Sequence, residues 1–158
     1  MYKLNKKGHA ILEVEASLRY ESATGPTWWR YFEEFKNERI FGTRCPVCKR
    51  VLIPARSFCA DCFVPLDEWV QVSNEGQVQG WSLTDFHYFG MPTDPPFITA
   101  EIRLDGSDSN FYHLVSGFDL SDLELVRRTM KIGTRVRAVW RKEKKGCILD
   151  IEYFEPIG

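Results

Sequence analysis

Apolar and polar residues alternate along much of the second half of the chain, most clearly in FITAEIRLDG over residues 97–106. Because successive side chains of a strand point to opposite faces of a sheet, this period of two predicts a strand with one buried face. The pattern recurs in GQVQGWSLTDF (76–86) and FYHLVSGFD (111–119), and on both sides of the turn KEKKG (142–146). We therefore predict about five strands, the last two of which form a hairpin.

Two helices interrupt this pattern. In GPTWWRYFEEFKNERI (25–40), aromatic residues recur at helical spacing, and Thr27 after Pro26 can cap the first turn. We expect this aromatic helix to occupy residues 27–44 and to bury its surface against the chain or against a partner. Its candidate partner-facing residues are Trp28, Trp29, Tyr31, Phe32 and Phe35. A short second helix is predicted ahead of the last hairpin, because Ser121 and Glu124 have the spacing of a capping box.

Residues 1–26 form an N-terminal arm ahead of these elements. Within it, AILEVEASLRY (10–20) alternates apolar and polar side chains. This segment is either an extended arm that packs on a partner chain or a plain edge strand.

Four of the five cysteines lie within CPVCKRVLIPARSFCADC, as two CxxC pairs at Cys45, Cys48, Cys59 and Cys62. A CxxC turn lets two thiolates converge on one ion, and two such turns complete the tetrahedral shell of Zn²⁺. Because four thiolates leave no open position, the predicted zinc ion is structural. Thiolates also bind iron, but zinc is the ion that we expect. Nearby cations can offset the negative charge of the site: Arg44, Lys49, Arg50 and Arg56.

The other roles of such cysteines fit less well. A thioredoxin-like CxxC would need a βαβ pattern, which this sequence lacks. The fifth cysteine, Cys147, has apolar neighbours in the predicted hairpin, which favours a buried packing residue over a nucleophile.

Composition and charge narrow the class of protein. The chain has 158 residues, 44% of them hydrophobic and 27% charged, which is typical of a globular domain. It has no apolar run of the ~18 residues that a membrane span needs, and its start lacks the apolar core of a signal peptide. We therefore expect a cytoplasmic protein, whose thiols stay reduced.

The net charge is −1, yet nine Lys and Arg residues lie between residues 126 and 145, against Glu143 alone. These cations are either ordinary solvated faces or contacts for an anionic ligand.

The elements together predict a mainly β protein with an N-terminal helix: a four-cysteine zinc ribbon at 45–68, followed by an OB-fold β-barrel at 69–158.

This order of parts resembles the bacterial and archaeal zinc-ribbon/OB-fold accessory family, over roughly residues 27–157. The matching stretches are WWRYFEEFKNERIFGTRCPVCKRVLIPARSFCADC, the pair Glu68–Trp69, GQVQGWSLTDF, PPFITAEIRLDG and MKIGTRVRAVW. Many such ribbons have Gly after the second Cys of a knuckle, where this chain has Lys49 and Phe63. We therefore expect a slightly unusual knuckle geometry.

The resemblance implies a rubredoxin-like ribbon and a non-catalytic subunit that joins a thiolase-like or aldolase-like catalytic subunit in a hetero-oligomer acting on CoA thioesters. Relatives in anaerobic aromatic degradation suggest a pathway of the toluene/benzylsuccinate type. The candidate CoA-phosphate contacts are Arg127, Arg128 and Lys131, because Arg and Lys pair well with phosphate oxygens.

A Pro-rich loop after the first barrel strand is the candidate contact for the partner or the acyl group; otherwise it folds back over the barrel. Its candidate residues are Phe86, His87, Tyr88, Phe89, Met91 and Phe97. His113 lies outside this loop, in the predicted strand FYHLVSGFD, and is expected to be structural. The alternative functions are a binder of single-stranded nucleic acid, which the net charge disfavours, and a scaffold without ligand contact.

Overall fold

The computed structural model describes residues 2–12, 20–88, 90–91 and 93–158. The alternation predicted over residues 13–19 and the candidate residue Phe89 lie outside this part of the chain. The described elements are β1 Tyr2–Leu4, β2 Ala10–Leu12, α1 Gly25–Glu33, β3 Ile40–Arg44, β4 Val51–Leu52, β5 Glu68–Val72, β6 Glu75–Thr84, β7 Phe97–Leu104, β8 Phe111–Val115, α2 Leu123–Thr129, β9 Arg135–Trp140 and β10 Ile151–Pro156. Short 3₁₀ turns cover Glu34–Asn37 and Ile148–Asp150. None of the described helices is long and apolar enough to cross a membrane.

The five strands β6–β10 form a closed barrel in the order β10-β8-β7-β6-β9. The long strand β6 pairs with both β7 and β9, and a parallel bridge between Phe154 and Val115 closes the barrel. Ile98 and Ile102, two of the alternating apolar residues of β7, are fully buried in its interior. With α2 between β8 and β9, this is the OB-fold architecture that the sequence predicts.

A second sheet, in the order β4-β3-β5, holds the ribbon. Its central strand β3 passes so close to β4 that a side chain at Gly42 would lie 2.8 Å from the Leu52 carbonyl oxygen. Only glycine fits at such a crossing without displacing its neighbours. The edge strand β5 leads into β6, so the ribbon sheet and the barrel are continuous in the chain.

The expected aromatic helix over 27–44 is wrong in its length. The observed α1 begins at Gly25, two residues before the expected cap Thr27, and ends at Glu33. After one 3₁₀ turn, Glu38 adopts a left-handed conformation (φ 57°) that stops the helix. Residues 40–44 then pair with β4 and β5 instead of continuing it, because Ile40, Phe41 and Thr43 favour a strand and Gly42 disfavours a helix.

Two smaller expectations are also corrected. Helix α2 is capped by Asp122, whose carboxylate accepts a hydrogen bond from the Leu125 N–H at 2.9 Å, whereas Ser121 bonds to Asp119 instead. The last hairpin forms as predicted from β9 and β10. However, Cys147 precedes the 3₁₀ turn and is only half-buried, with its Sγ 3.5 Å from Asp150 Oδ1.

Candidate metal centre and contact surfaces

The two CxxC turns of the ribbon are built alike. In the first, Cys45 N–H donates to the Arg50 carbonyl at 3.0 Å, and Lys49 N–H donates to the Cys45 carbonyl at 3.0 Å. In the second, Cys59 and Phe63 make the equivalent bonds at 2.9 and 2.8 Å. Each turn thus folds back on its first cysteine, which points both thiols of a pair the same way.

The residue after the second cysteine of each knuckle lies in the left-handed region, with φ 65° at Lys49 and 55° at Phe63. The expectation of a slightly unusual knuckle geometry stays a prediction. Both knuckles adopt the conformation in which glycine is favoured, and two non-glycine residues accept the strain.

The four thiols converge on one point. Their sulfur atoms all lie within 4.8 Å of one another, and Cys48 and Cys59 are 4.0 Å apart. Four sulfurs at about 2.3 Å from a tetrahedral ion are separated by about 3.8 Å, so the observed spacing suits a metal such as zinc. Cys45 and Cys59 are buried, and four thiolates fill the ion's shell, so the site is structural.

The pKa values of these thiols show how strongly they interact. Burial raises the pKa of Cys45, but hydrogen bonds from the Cys48 and Val47 backbone and from the thiols of Cys48 and Cys59 outweigh it and lower the pKa to about 6. Burial and the neighbouring thiols raise the pKa of Cys62 to about 12. Without a cation, the sulfurs cannot all be thiolates together; a bound dication removes that conflict.

The cations expected to offset the site's charge are partly engaged elsewhere. Arg50 forms an ion pair with Asp61, which ties the first knuckle to the second. Arg44 pairs with Glu68 at 3.0 Å. Among the described residues, Lys49 and Arg56 have no carboxylate partner.

The ribbon is fastened to the barrel through the turn between β7 and β8. Asp108 accepts a hydrogen bond from the Val51 N–H at 2.8 Å, and its own N–H donates to the Val51 carbonyl at 2.8 Å. The hydroxyl of Ser109 accepts from the Ile53 N–H at 2.6 Å and donates to the Ile53 carbonyl at 2.8 Å. This latch fixes the edge strand β4, and with it the metal site, on the barrel.

The candidate partner-facing residues of α1 divide into two groups. Tyr31 and Phe35 are buried in the core of this chain, where Phe35 contacts Trp140 at 5.4 Å between ring centroids. Phe32 is half-buried beside them. Trp28 and Trp29 are 50% and 62% exposed. The expectation that all five face a partner is therefore wrong. Tyr31 and Phe35 pack the helix onto the core of this chain, whereas Trp28 and Trp29 are exposed and can contact a partner.

The candidate loop residues divide similarly. Phe97 is buried as the first residue of β7, so its inclusion as a contact residue was wrong. Met91 is half-buried. Phe86, His87 and Tyr88 are exposed, with the rings of Phe86 and Tyr88 6.1 Å apart.

Four of the nine cations of the basic strip pair with carboxylates, and Arg135, Arg137 and Lys144 reach other segments of the chain. Arg135 donates hydrogen bonds to both Asp105 and Glu75, and those that the Asp105 carboxylate accepts raise the pKa of its guanidinium. Similar pairs join Arg137 to Glu155 and Lys144 to Glu38. The other five cations of the strip have no carboxylate partner among the described residues: Arg128, Lys131, Arg141, Lys142 and Lys145.

The candidate phosphate contacts are not equivalent. Arg127 pairs with Glu124 at 2.6 Å and lies 3.9 Å from Asp85. Arg128 and Lys131 are exposed, and neither has a carboxylate partner among the described residues.

His113 is structural, as expected. It is only 8% exposed, lies between Phe111 and Phe154, and its Nε2 is 3.3 Å from the Ile148 carbonyl. Burial lowers its pKa, which keeps the ring neutral at pH 7.

Several residues of these surfaces were not anticipated. Phe58 and Phe63 of the second knuckle are 56% and 83% exposed, and Arg56 lies beside Phe58. The sequence gives one indication of this exposure: Phe58 and Phe63 are large apolar residues in a ribbon that is too short to bury them. No local sequence pattern indicates that Asp108 and Ser109 bond the ribbon.

A closed four-thiol ribbon joined to a five-stranded barrel defines the class of zinc-ribbon/OB-fold proteins. The family model described as the rubredoxin-like zinc ribbon domain of ChsH2 matches residues 32–68. The model described as the C-terminal OB-fold domain of ChsH2 matches residues 69–141. Together they span residues 32–141, and the chain belongs to this ChsH2-type zinc-ribbon/OB-fold family.

Solved structures share the fold. A chain of the Ltp2-ChsH2(DUF35) aldolase is similar with a TM-score of 0.63 and 20% identity, over 86% of this chain and 98% of that one. A DUF35-family protein of unknown function from Sulfolobus solfataricus is similar with a TM-score of 0.57 and 24% identity, over 73% of this chain and 78% of that one.

Proposed function

We propose that this chain is a non-catalytic accessory subunit of a hetero-oligomeric enzyme, thiolase-like or aldolase-like, that acts on CoA thioesters. The observation that carries the proposal is its membership of the ChsH2-type family across both domains. A relative of the same fold, matched over almost its whole length, comes from an aldolase assembly.

Outside the metal site the described residues hold one thiol, Cys147, so they lack the two-cysteine set of a thiolase, which supports an accessory role. A thiolase uses a cysteine nucleophile together with a histidine and a second cysteine as acid and base. Here four thiols belong to the metal site, and the Cys147 thiol contacts Asp150. His113 is enclosed by the barrel core.

In this proposal a structural Zn²⁺ in the four-thiol site holds the two knuckles together, and the latch through Ser109 holds the knuckles on the barrel. Exposed aromatic side chains on α1, on the second knuckle and in the loop after β6 then face the catalytic subunit from one rigid frame. Aromatic residues and Arg are enriched in protein–protein interfaces, which favours this use of the surface.

The finer form of the proposal concerns the substrate. Arg128 and Lys131, which have no carboxylate partner within the part of the chain that the structure describes, are the better candidates for the phosphates of CoA, whereas Arg127 is already paired. Replacing both by Ala should raise KM for the CoA thioester more than it lowers kcat. Arg103→Ala, at an exposed arginine of β7 that bonds Asn110, is the control. An aromatic acyl group of the toluene/benzylsuccinate type is supported by the family resemblance.

The test is purification of the tagged chain from its native cells, followed by identification of the bound protein and assay with CoA thioesters. We expect a thiolase-like or aldolase-like protein in fixed stoichiometry, and turnover by the complex but not by this chain alone. Turnover by the isolated chain, or a monomeric chain without bound protein, would contradict the proposal.

A further inference from the structure

A groove of about 390 Å³ lies between the start of α1 and the second knuckle. Its walls are Trp28, half-exposed on the helix, and Phe58, 56% exposed on the knuckle, and Arg56 lies between them. The remaining lining residues are small or uncharged: Thr24, Gly25, Pro26, Thr27, Ser57 and Ala60.

The groove is held in place by buried groups beneath it. The backbone of Arg56 is bound from both sides by one buried hydroxyl: Thr43 Oγ1 donates to the Arg56 carbonyl and accepts from its N–H, each at 3.0 Å. Ser57 accepts a hydrogen bond from the Leu66 N–H at 3.0 Å. On the other wall, Trp28 packs edge-on against Phe32 at 5.8 Å between ring centroids. Such a preformed site loses little conformational entropy when a ligand binds.

The charge of the groove indicates what it accepts. Arg56 is the one charged residue among those that line it. The neighbouring ribbon arginines, Arg44 and Arg50, each pair with a carboxylate, whereas Arg56 has no such partner among the described residues. A cation between two aromatic walls complements a carboxylate that is flanked by an apolar side chain.

The second knuckle also has a strained backbone and an exposed aromatic ring at the same residue. Phe63 is held at φ 55°, and its ring is 83% exposed. A bulky residue in this region of backbone space is strained, and such strain persists where function requires it. Exposed Phe58 and Phe63 on one knuckle therefore indicate a surface that another molecule covers.

We propose that this groove is the anchoring site for the catalytic subunit and receives a segment in which an Asp or Glu side chain adjoins an apolar residue. The inference rests on the accessory role proposed above. Trp and Arg are among the residues that most often dominate interface affinity, and here Trp28 and Arg56 line the same pocket.

The experiment measures the Kd between this chain and the co-purified, identified catalytic subunit. We expect Arg56→Glu and Trp28→Ala each to weaken binding by at least about tenfold, the effect of truncating an interface hot spot. The control Arg103→Glu makes the same charge change at an exposed position of β7 and should leave the Kd within about twofold. Zinc content and Tm should stay at wild-type values in all three, since these side chains are exposed.

A photo-crosslinking residue at Ser57 identifies the occupant. We expect it to capture a peptide of the catalytic subunit that contains Asp or Glu beside an apolar residue. A crosslink to a second copy of this chain, a peptide without a carboxylate, or no crosslink in the intact complex would overturn the inference. If the catalytic subunit binds equally well to Arg56→Glu and Trp28→Ala, the groove assignment fails while the accessory role stands; if no catalytic subunit binds the wild-type chain, the accessory role itself fails.

Discussion

The latch between ribbon and barrel gives the sharpest prediction of stability. Ser109→Ala removes the hydroxyl that bonds both the N–H and the carbonyl of Ile53. Ile53 is fully buried, so water cannot replace either bond. A buried polar group left without a partner costs about 1–3 kcal/mol. With two such groups, we expect Ser109→Ala to lower the free energy of unfolding by about 3 kcal/mol.

For a chain of this length, that loss corresponds to a fall in Tm of about 6–12 °C. The assay is thermal and urea denaturation of the metal-loaded protein, with hydrogen exchange at the Ile53 amide as a local readout. Ser82→Ala, at an exposed serine of β6 whose hydroxyl has no bond in the described chain, should change stability by less than about 0.5 kcal/mol. If Ser109→Ala falls within that same range and the Ile53 amide stays protected, the latch does not hold the ribbon.

Three further predictions concern the metal site and the last hairpin. Cys48→Ser should abolish the binding of about one equivalent of zinc and lower Tm, whereas Cys147→Ser should retain both; metal analysis and thermal melting check this, and full zinc content in Cys48→Ser would refute the four-thiol site. Lys49→Gly should raise stability by about 0.5–1 kcal/mol in urea denaturation, because glycine relieves the left-handed strain; an unchanged or lower value would show that the knuckle is not strained. Burial raises the pKa of Asp150, but backbone N–H groups and the Cys147 thiol outweigh it and lower the pKa. Asp150→Asn should therefore cost about 2 kcal/mol at pH 7, and the difference from wild type should shrink as the pH falls below about 4, where the unfolded carboxyl protonates first; a difference that is constant down to pH 2 would contradict this.

The elements that the sequence predicts well are those governed by local spacing. The four ligand thiols are set by two CxxC turns, and the alternation in β7 reports its buried face directly. The order of ribbon and barrel also follows from these elements, and two family models confirm it.

The expectations that failed depend on contacts between distant segments. Residues 40–44 form β3 because they pair with β5, a distant segment, and their β-branched and aromatic side chains also favour a strand. Tyr31 looked like a neighbour of Trp28 on a partner-facing helix, but the barrel core buries it. The cations of the basic strip could not be assigned to their partners, since Arg135 pairs with a carboxylate at position 75, sixty residues earlier.

The central claim is that this chain completes an enzyme whose chemistry is carried by another subunit. The most direct measurement is CoA-thioester turnover by the identified catalytic subunit alone, by this chain alone and by the two combined. The account predicts turnover by the combination, no turnover by this chain, and a large loss when Cys48→Ser replaces the wild-type chain. Equal turnover by the catalytic subunit with and without this chain would contradict it.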